Sequence, residues 1–495
     1  MCSFTLTFIA SSGKNGSFLG ATKYITLRDI YFQICKHLNI AEPIRHMKWH
    51  RSVIPFLLTS AAVAVLSLTS RTAMSQQDWL STGINLGAPK IKLAVPDFAP
   101  KSVDQQLVSL TQEFNQVLWS DLDNAGIFEM VSKSNYPLKI PEEPLDVDFN
   151  AWSSPPASAQ MLVFGKAENI NSNLVITGRV FDLGNQANPG VLAKRYVATL
   201  NEVSTRAAAH RFADEIIKTL GGGLPGINET RMAFVSSRSG HAEIWVMDYD
   251  GFNQHPITSY RSMCTTPRWA PDNTKLAFTS YASGNPEIYL FSFETNRRIP
   301  FPSYKGLNAT PAWSPDGKKI AFCSSMGGDP EIYISDVSGY NLQRLTFSPG
   351  VDISPVWNPK TGNELAFVSD RSGAPQIYIM SADGTNLRRM TTVAQGGDAS
   401  APSWSPNGLF MAFHWRVSET GTYDIYIMEI ATGRIIQLTH DAGRNEHPTW
   451  SPDGRHLAFE STRSGSRQVW TMLANGLDPK QLTKDGENWN ANWSN

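Results

Sequence analysis

The sequence repeats itself, and the repeat limits what the chain can fold into. From about residue 231 to the C-terminus the tryptophans Trp269, Trp313, Trp357, Trp404, Trp450 and Trp493 recur at intervals of 44, 44, 47, 46 and 43 residues. The clearest copies are Pro311-Ala312-Trp313-Ser314-Pro315-Asp316-Gly317 and Pro448-Thr449-Trp450-Ser451-Pro452-Asp453-Gly454. A fixed period of this size signals a propeller or a solenoid. After each turn comes an alternating run such as Lys319-Ile320-Ala321-Phe322, then a second such as Glu331-Ile332-Tyr333-Ile334, then a short third such as Gln343-Arg344-Leu345-Thr346. Period-two alternation bounded by Gly, Pro and Asp reads as strands. With the Trp strand this makes four strands per repeat, the unit of a propeller blade.

Closure can be counted. The first repeat, at Arg231-Met232-Ala233-Phe234-Val235, lacks a Trp strand, and the last supplies only Ala491-Asn492-Trp493-Ser494. Together they complete one blade. The expectation is a six-bladed β-propeller over residues 228–495, closed by the C-terminal strand, so that removing the last residues opens the ring.

Upstream the pattern is α/β over residues 90–222. Ile91-Lys92-Leu93-Ala94-Val95 reads as a strand. Val103, Leu107, Leu110, Phe114, Val117, Leu118 and Leu122 recur at helical spacing, and Gly126 is placed to end that helix. Asp148 is placed to cap a short helix through Trp152. Residues 127–131, 161–165, 174–181 and 195–200 read as strands and 204–220 as a helix. The glycines at 221–223 lack the strand-before, helix-after setting of a phosphate loop and read as a linker.

Before that, residues 47–75 have a basic start, an apolar run from Val53 to Leu68 and small residues at Ala73-Met74-Ser75, the pattern of a secretory signal peptide. Residues 1–46 are expected to be an upstream extension from an over-long gene reading. Residues 76–89 are polar and aperiodic, and read as a flexible arm.

At 495 residues and a net charge of −1, with no basic block, nothing points to nucleic acid. The four cysteines form no C-x-x-C pair, so neither a disulfide framework nor a zinc site is expected, and no cofactor either. There is no G-x-S-x-G, H-E-x-x-H or Walker loop. Asp248-Tyr249-Asp250-Gly251 is acidic, but Ser381-Ala382-Asp383-Gly384 occupies the same place three blades on, so a turn is expected rather than a calcium loop. His210, His255, His414 and His447 are scattered and expected to be structural or solvated. The regular tryptophans are expected to pack between blades rather than stack on sugars. Propellers also precede serine hydrolase domains, but the propeller runs to residue 495 and the upstream domain lacks the nucleophile motif. The rival to a binding protein is an exported propeller enzyme acting on glycans or peptides. It would need carboxylates, or a Ser/His pair, converging in the channel.

These residues together resemble the TolB family. The resemblance covers about residues 76–495. It includes Leu93-Ala94-Val95-Pro96-Asp97-Phe98, Asp148-Phe149-Asn150-Ala151-Trp152, Ala209-His210-Arg211-Phe212-Ala213-Asp214 and Thr230-Arg231-Met232-Ala233-Phe234-Val235. It implies a non-enzymatic, monomeric periplasmic adaptor of the Tol-Pal system, supporting outer-membrane integrity and cell division. In such an adaptor the lipoprotein Pal sits at the propeller mouth and TolA is engaged by the N-terminal arm. The arm is then Gln76, Gln77, Asp78, Trp79, Leu80 and onward to about residue 89. The Pal-facing loops are 262–266, 305–310, 350–354, 397–400 and 445–447, with Ser262, Thr265, Thr266, Leu307, Asn308, Thr310, Asp352, Ile353, Ser354 and His447 as candidates. Family members often carry a histidine in the second loop, where this chain has Leu307, which implies a contact built differently there.

Overall fold

The computed structural model describes Leu80, Gly87 and residues 89–392 and 397–495. Residues 1–46, the signal-like stretch 47–75 and arm residues Gln76, Gln77, Asp78 and Trp79 lie outside the described residues.

The first domain is an α/β sandwich. Strands β1 (Ile91–Ala94), β2 (Ala99–Pro100), β3 (Phe128–Met130), β4 (Met161–Ile170), β5 (Asn173–Asp182) and β6 (Gly190–Thr199) form one sheet. Its order is β3-β1-β4-β5-β6, parallel from β3 to β4 and antiparallel from β4 to β6, with β2 beside β4. Helices α1 (Gln105–Asn124) and α3 (Glu202–Leu220) cover one face, burying Leu107, Phe114, Leu118, Phe212 and Ile216 against Leu174, Ile176 and Val180. The short helix α2 (Phe149–Ser153) brings Trp152 onto the other face with Leu162, Phe164 and Phe181. Asp148 caps α2, accepting from the Ala151 N–H at 3.0 Å. Gly126, at φ 74°, follows the end of α1. The helix starts later than its apolar spacing suggests. Asp104 takes the cap by accepting from Gln106 N, which leaves Val103 outside the helix and 99% exposed.

The propeller has six four-stranded blades. Blade 1 pairs the C-terminal strand Asn488–Trp493 with β7 (Arg231–Ser236), β8 (Glu243–Asp248) and β9 (His255–Pro256), so the last strand of the chain closes the ring. Blade 2 is β10 (Cys264–Trp269), β11 (Lys275–Ser280), β12 (Glu287–Ser292) and β13 (Arg297–Ile299). Four similar blades follow. The Trp strands are innermost, each packed on the next around the channel axis.

The tryptophans stitch neighbouring blades together. Trp269, Trp313, Trp357, Trp404, Trp450 and Trp493 are all buried. The indole N–H groups of Trp313, Trp357 and Trp450 donate to the carbonyls of Arg268, Ala312 and Ser403 on the preceding inner strand, at 3.0, 3.2 and 3.1 Å. Trp493 donates instead to Thr230 Oγ1 at 2.7 Å and the indole N–H groups of Trp269 and Trp404 have no partner among the described residues, so burial rather than this bond is common to all six. The turn after the tryptophan is fixed locally. Ser314 Oγ and the Lys318 N–H both donate to Asp316 Oδ1, and Gly317 takes φ 68°.

Strands within a blade are antiparallel. The turns after the first and third strands therefore lie at one end of the channel, and the connections into the first strands at the other. The α/β domain sits at the former end. Tyr249 follows β8 and donates its hydroxyl to Asp121 on α1. His456 Nε2 lies 2.7 Å from the carbonyl of Asn124, and Lys480 donates to Asn124 Oδ1 at 2.9 Å. The opposite mouth is left uncovered by this domain.

Candidate functional site: the propeller mouth and channel

Each inner strand breaks its pairing at the same place. In blade 2, Cys264 and Thr265 pair with Ser280 and Thr279, and Arg268 and Trp269 then pair with Ala277 and Leu276. Two residues oppose one, which is a β-bulge. The first bulged residue adopts a left-handed conformation in all six blades: Thr266 (φ 51°), Thr310 (52°), Ser354 (55°), Ala401 (51°), His447 (48°) and Asn490 (49°). None is glycine, and β-branched threonine rarely enters this region. Proline follows five of the six, which pushes the preceding residue away from the right-handed helical region. Six such positions at equivalent points form a strained ring around the axis, the kind of feature that clusters at binding sites.

The ring is stitched by side chains across blades. The Thr310 N–H donates to Thr279 Oγ1 at 3.0 Å, the Ser354 N–H to Thr310 Oγ1 at 3.2 Å and the Asn490 N–H to Glu460 Oε2 at 2.9 Å. Thr265 Oγ1 donates to Asn490 Oδ1 at 2.8 Å. Thr265, Thr266, Thr310, Ser354 and His447 are thus brought together, while Ser262, Leu307 and Ile353 lie half-buried beside the ring. Met263 is exposed on the loop entering blade 2 and Phe347 and Val351 on the loop entering blade 4, alongside exposed Arg261 and Lys305.

Asn308 and Asp352 are not presented at this surface. Both are buried at the first position of an inner strand. Asn308 Nδ2 donates to the Tyr304 carbonyl at 2.7 Å and Oδ1 accepts from Ser324 at 2.8 Å. Asp352 pairs with Arg371 at 2.6 Å. The same strut recurs as Asn445 with Ser461 and Arg463, and as Asn488 with Arg238. A Ser-x-Arg at the end of the second strand was the available sequence signal, in Ser236-Ser237-Arg238, Ser369-Asp370-Arg371 and Ser461-Thr462-Arg463.

On the side of blades 5 and 6 the chemistry changes. His447 Nδ1 lies 3.2 Å from Glu460 Oε1, close enough to pair charges but without hydrogen-bond alignment. Burial opposes the charge on His447, yet Glu460 holds its pKa above the ordinary value. Burial likewise opposes the Glu460 carboxylate, and His447 outweighs it, keeping that pKa low. Burial drives His414 well below the usual histidine value, with His447 and Arg444 adding to the effect. Neutral His414 then accepts the His447 N–H on Nδ1 at 3.2 Å. Among the described residues no serine or cysteine hydroxyl or thiol bonds either ring, and no group of three or more His, Cys, Asp and Glu is placed to hold a metal.

One arm residue departs from the expectation of a flexible segment. Leu80 is fully buried, in a cluster with Phe410, Ile425, Ile427, Trp450 and Leu457 of blades 5 and 6. A leucine beside Trp79 in an aperiodic stretch gave no sign of its distant partners. The acidic sequence at residues 248–251 is a turn, with the Gly251 N–H donating to the Asp248 carbonyl at 3.0 Å. Its Tyr249 and Asp250 serve the domain contact.

Comparison with known proteins covers both domains. The TolB amino-terminal domain family matches residues 71–188, and the TolB beta propeller domain family matches 219–398 and 392–495. The Tol-Pal system protein TolB of Nitrosospira multiformis is 34% identical over 187 residues, 38% of this chain and 39% of that protein. Its namesake from Desulfosudis oleivorans is 33% identical over 214 residues, 42% of this chain and 47% of that protein. The chain thus matches less than half the length of these curated relatives. The crystal structure of TolB from Acinetobacter baumannii superposes with a TM-score of 0.70 at 26% identity, covering 82% of this chain and 97% of that one. With its six-bladed propeller and the α/β domain before it, the chain belongs to the TolB family.

Proposed function

We propose that the protein is a non-enzymatic adaptor of the Tol-Pal system in the periplasm. In this reading it receives the lipoprotein Pal at the propeller mouth and TolA through residues 76–89. The observation that carries the proposal is the mouth itself: a ring of six bulged strands, with Met263, Phe347 and Val351 exposed on the loops into blades 2 and 4, at the channel end the α/β domain does not cover. Recognition surfaces sit on loops held by a rigid scaffold. Half-buried Ser262, Thr265, Thr266, Leu307, Thr310, Ile353, Ser354 and His447 are the contact residues, and Asn308 and Asp352 hold the loops in shape. The curated relatives are named as Tol-Pal system proteins, and no described helix is long and apolar enough to cross a membrane. The signal-like stretch 47–75 supports export.

Titration of the purified protein with the Pal homologue of the same organism tests this. Saturable one-to-one binding, weakened by Thr310→Arg or Ile353→Asp, is the expected result. A folded protein that binds no Pal at high concentration removes the assignment to Pal and leaves the fold untouched.

A further inference from the structure

Neighbouring blades leave six grooves between them at the channel end opposite the mouth, and the repeat builds their walls from equivalent positions. Strand pairing identifies one such position in each blade. His255 pairs with Val246, Ile299 with Leu290, Gln343 with Ile334, Arg388 with Ile379, Ile436 with Ile427 and Lys480 with Thr471. Of these six, Ile299 and Ile436 alone are apolar. They belong to the grooves between blades 2 and 3 and between blades 5 and 6, on opposite sides of the ring. The other grooves are covered or polar. Between blades 1 and 2 the Arg231 guanidinium lies over Trp269 and Phe293, 4.8 and 4.9 Å from the ring centres. Between blades 3 and 4 Lys319 and Gln343 are exposed. Between blades 4 and 5 Arg388 bonds Glu364 at 3.0 Å. Between blades 6 and 1 Lys480 and His456 hold Asn124 of the α/β domain.

The groove between blades 5 and 6 has a known occupant. Phe410, Ile427, Trp450 and Ala474 belong to the cluster that contains the fully buried Leu80, with Ile436 packed against it. Their equivalents between blades 2 and 3 are Lys275, Leu290, Trp313 and Val337, with Ile299 in place of Ile436. These residues line an open groove of about 360 Å³ whose walls come from the propeller alone, and Val337 is 37% exposed in it. Such a wall favours an aliphatic side chain, as its counterpart does with Leu80. One position changes the chemistry. Lys275 stands where Phe410 stands, each accepting on its carbonyl the N–H of the residue after the tryptophan at 2.9 Å. Its ammonium is 3.7 Å from Asp272, a solvent-exposed pair of little strength, so it can serve an incoming carboxylate.

We propose that the groove between blades 2 and 3 is a docking site for a segment of a partner protein that carries a leucine or isoleucine with a carboxylate within two residues of it. The aliphatic side chain enters between Leu290, Ile299, Trp313 and Val337, and the carboxylate meets Lys275. This chain's own Leu80 is already seated across the ring, and so is that of a second copy, so the second groove falls to a different protein. The site lies at the end opposite the mouth and does not rest on the assignment to Pal.

The probe is a fluorescently labelled peptide with the sequence of residues 76–83, Gln-Gln-Asp-Trp-Leu-Ser-Thr-Gly, in which the acid stands two places before the leucine. Anisotropy titrations use the full protein at low salt. The expected result is saturable one-to-one binding to wild type and to the control Gln343→Arg, and binding weaker by about 10-fold or more to Ile299→Arg. The repeat already carries Arg388 at that position, so the fold admits the change. Val337→Asp is the second variant and should weaken binding likewise. A Leu80→Ala peptide should lose binding. An Asp78→Asn peptide should bind wild type about 2–5-fold more weakly, a difference that disappears in Lys275→Met and at high salt. Equal binding to wild type, Ile299→Arg and Val337→Asp overturns the proposal, because the peptide then only displaces Leu80 from its own groove. The absence of saturable binding to wild type overturns it as well. A wild-type dimer in light scattering that Ile299→Arg dissolves overturns the choice of a different protein and gives the groove to a second copy.

Discussion

Tyr249, on a turn of the propeller, donates its hydroxyl to Asp121, on the first helix of the α/β domain, and both residues are buried. The other carboxylate oxygen of Asp121 lies 2.8 Å from His210 Nδ1 on α3. Arg206, one turn earlier on α3, bonds both Glu113 of α1 and Asp250 of the propeller turn. One turn later, Asp214 accepts from the N–H of Asn228 at 3.1 Å, at the start of the propeller. The stripe of half-buried Arg206, buried His210 and half-buried Asp214 on α3 therefore joins the two domains through charged and hydrogen-bonding groups. Asp121→Ala removes the acceptor of two buried groups and should cost about 3–5 kcal/mol. Tyr249→Phe loses one hydrogen bond to a charged group and should cost about 1.5–3 kcal/mol. Urea unfolding followed by a probe in each domain checks both, and an unchanged midpoint for Asp121→Ala would contradict this account of the interface.

The same contact should make stability depend on pH. Burial opposes a charge on His210, but the bond and charge of Asp121, with Asp250 beyond, hold its pKa above the ordinary value, against Arg206. Burial also pushes the Asp121 carboxyl up, against His210 and Tyr249. A histidine with a raised folded pKa contributes stability that is complete below about pH 6.5 and is lost as pH rises through the folded value. The unfolding midpoint should fall from about pH 6 to about pH 9, and less so in His210→Gln. Equal pH dependence in the two proteins would remove His210 as the source.

Closure rests on the last strand. Asn488–Trp493 pairs with β7, and the buried Trp493 indole donates to Thr230 Oγ1 at 2.7 Å. Deleting residues 488–495 should leave β7 as an open edge and give an aggregating or protease-sensitive product. Trp493→Ala keeps the strand but empties the site, at about 3–5 kcal/mol. A deletion variant that melts like the intact protein would show that closure contributes nothing.

At the mouth, contact and support separate in experiment. Ile353→Asp, half-buried beside the ring, should weaken Pal binding with little change in melting temperature. Asn308→Ala leaves the Ser324 hydroxyl and the loop carbonyls without their partner, and should cost about 1–3 kcal/mol of stability first. The reverse pattern would mean that Asn308 itself reaches the partner.

Leu80 gives a test of the arm. Leu80→Asp places a charge in an apolar cluster between blades 5 and 6 and should release position 80 from the propeller. Limited proteolysis should then cut the arm earlier than in wild type while the propeller stays intact. Unchanged cleavage would show that Leu80 does not anchor it.

The repeat determined the architecture before any coordinates. Four alternating runs per period fix a blade, and an incomplete first and last repeat fix the closure. The tryptophan spacing follows from one buried indole on each inner strand, so the period of the sequence and the period of the blades coincide. The same holds for the Asp148 cap and the Ser-Pro-Asp-Gly turns, whose partners lie within a few residues. The tertiary structure decided what depends on residues far apart in sequence. Asp121 meets Tyr249 across 128 residues, Asn490 meets Thr265 across 225, and Leu80 reaches blades 5 and 6. Six equivalent positions also acquire different chemistry only when the ring closes. Arg268 and Thr449 are equivalent in the repeat, yet the Arg268 guanidinium donates to the Pro267 carbonyl beside it while Thr449 Oγ1 accepts from Asn492 Nδ2 of the neighbouring blade.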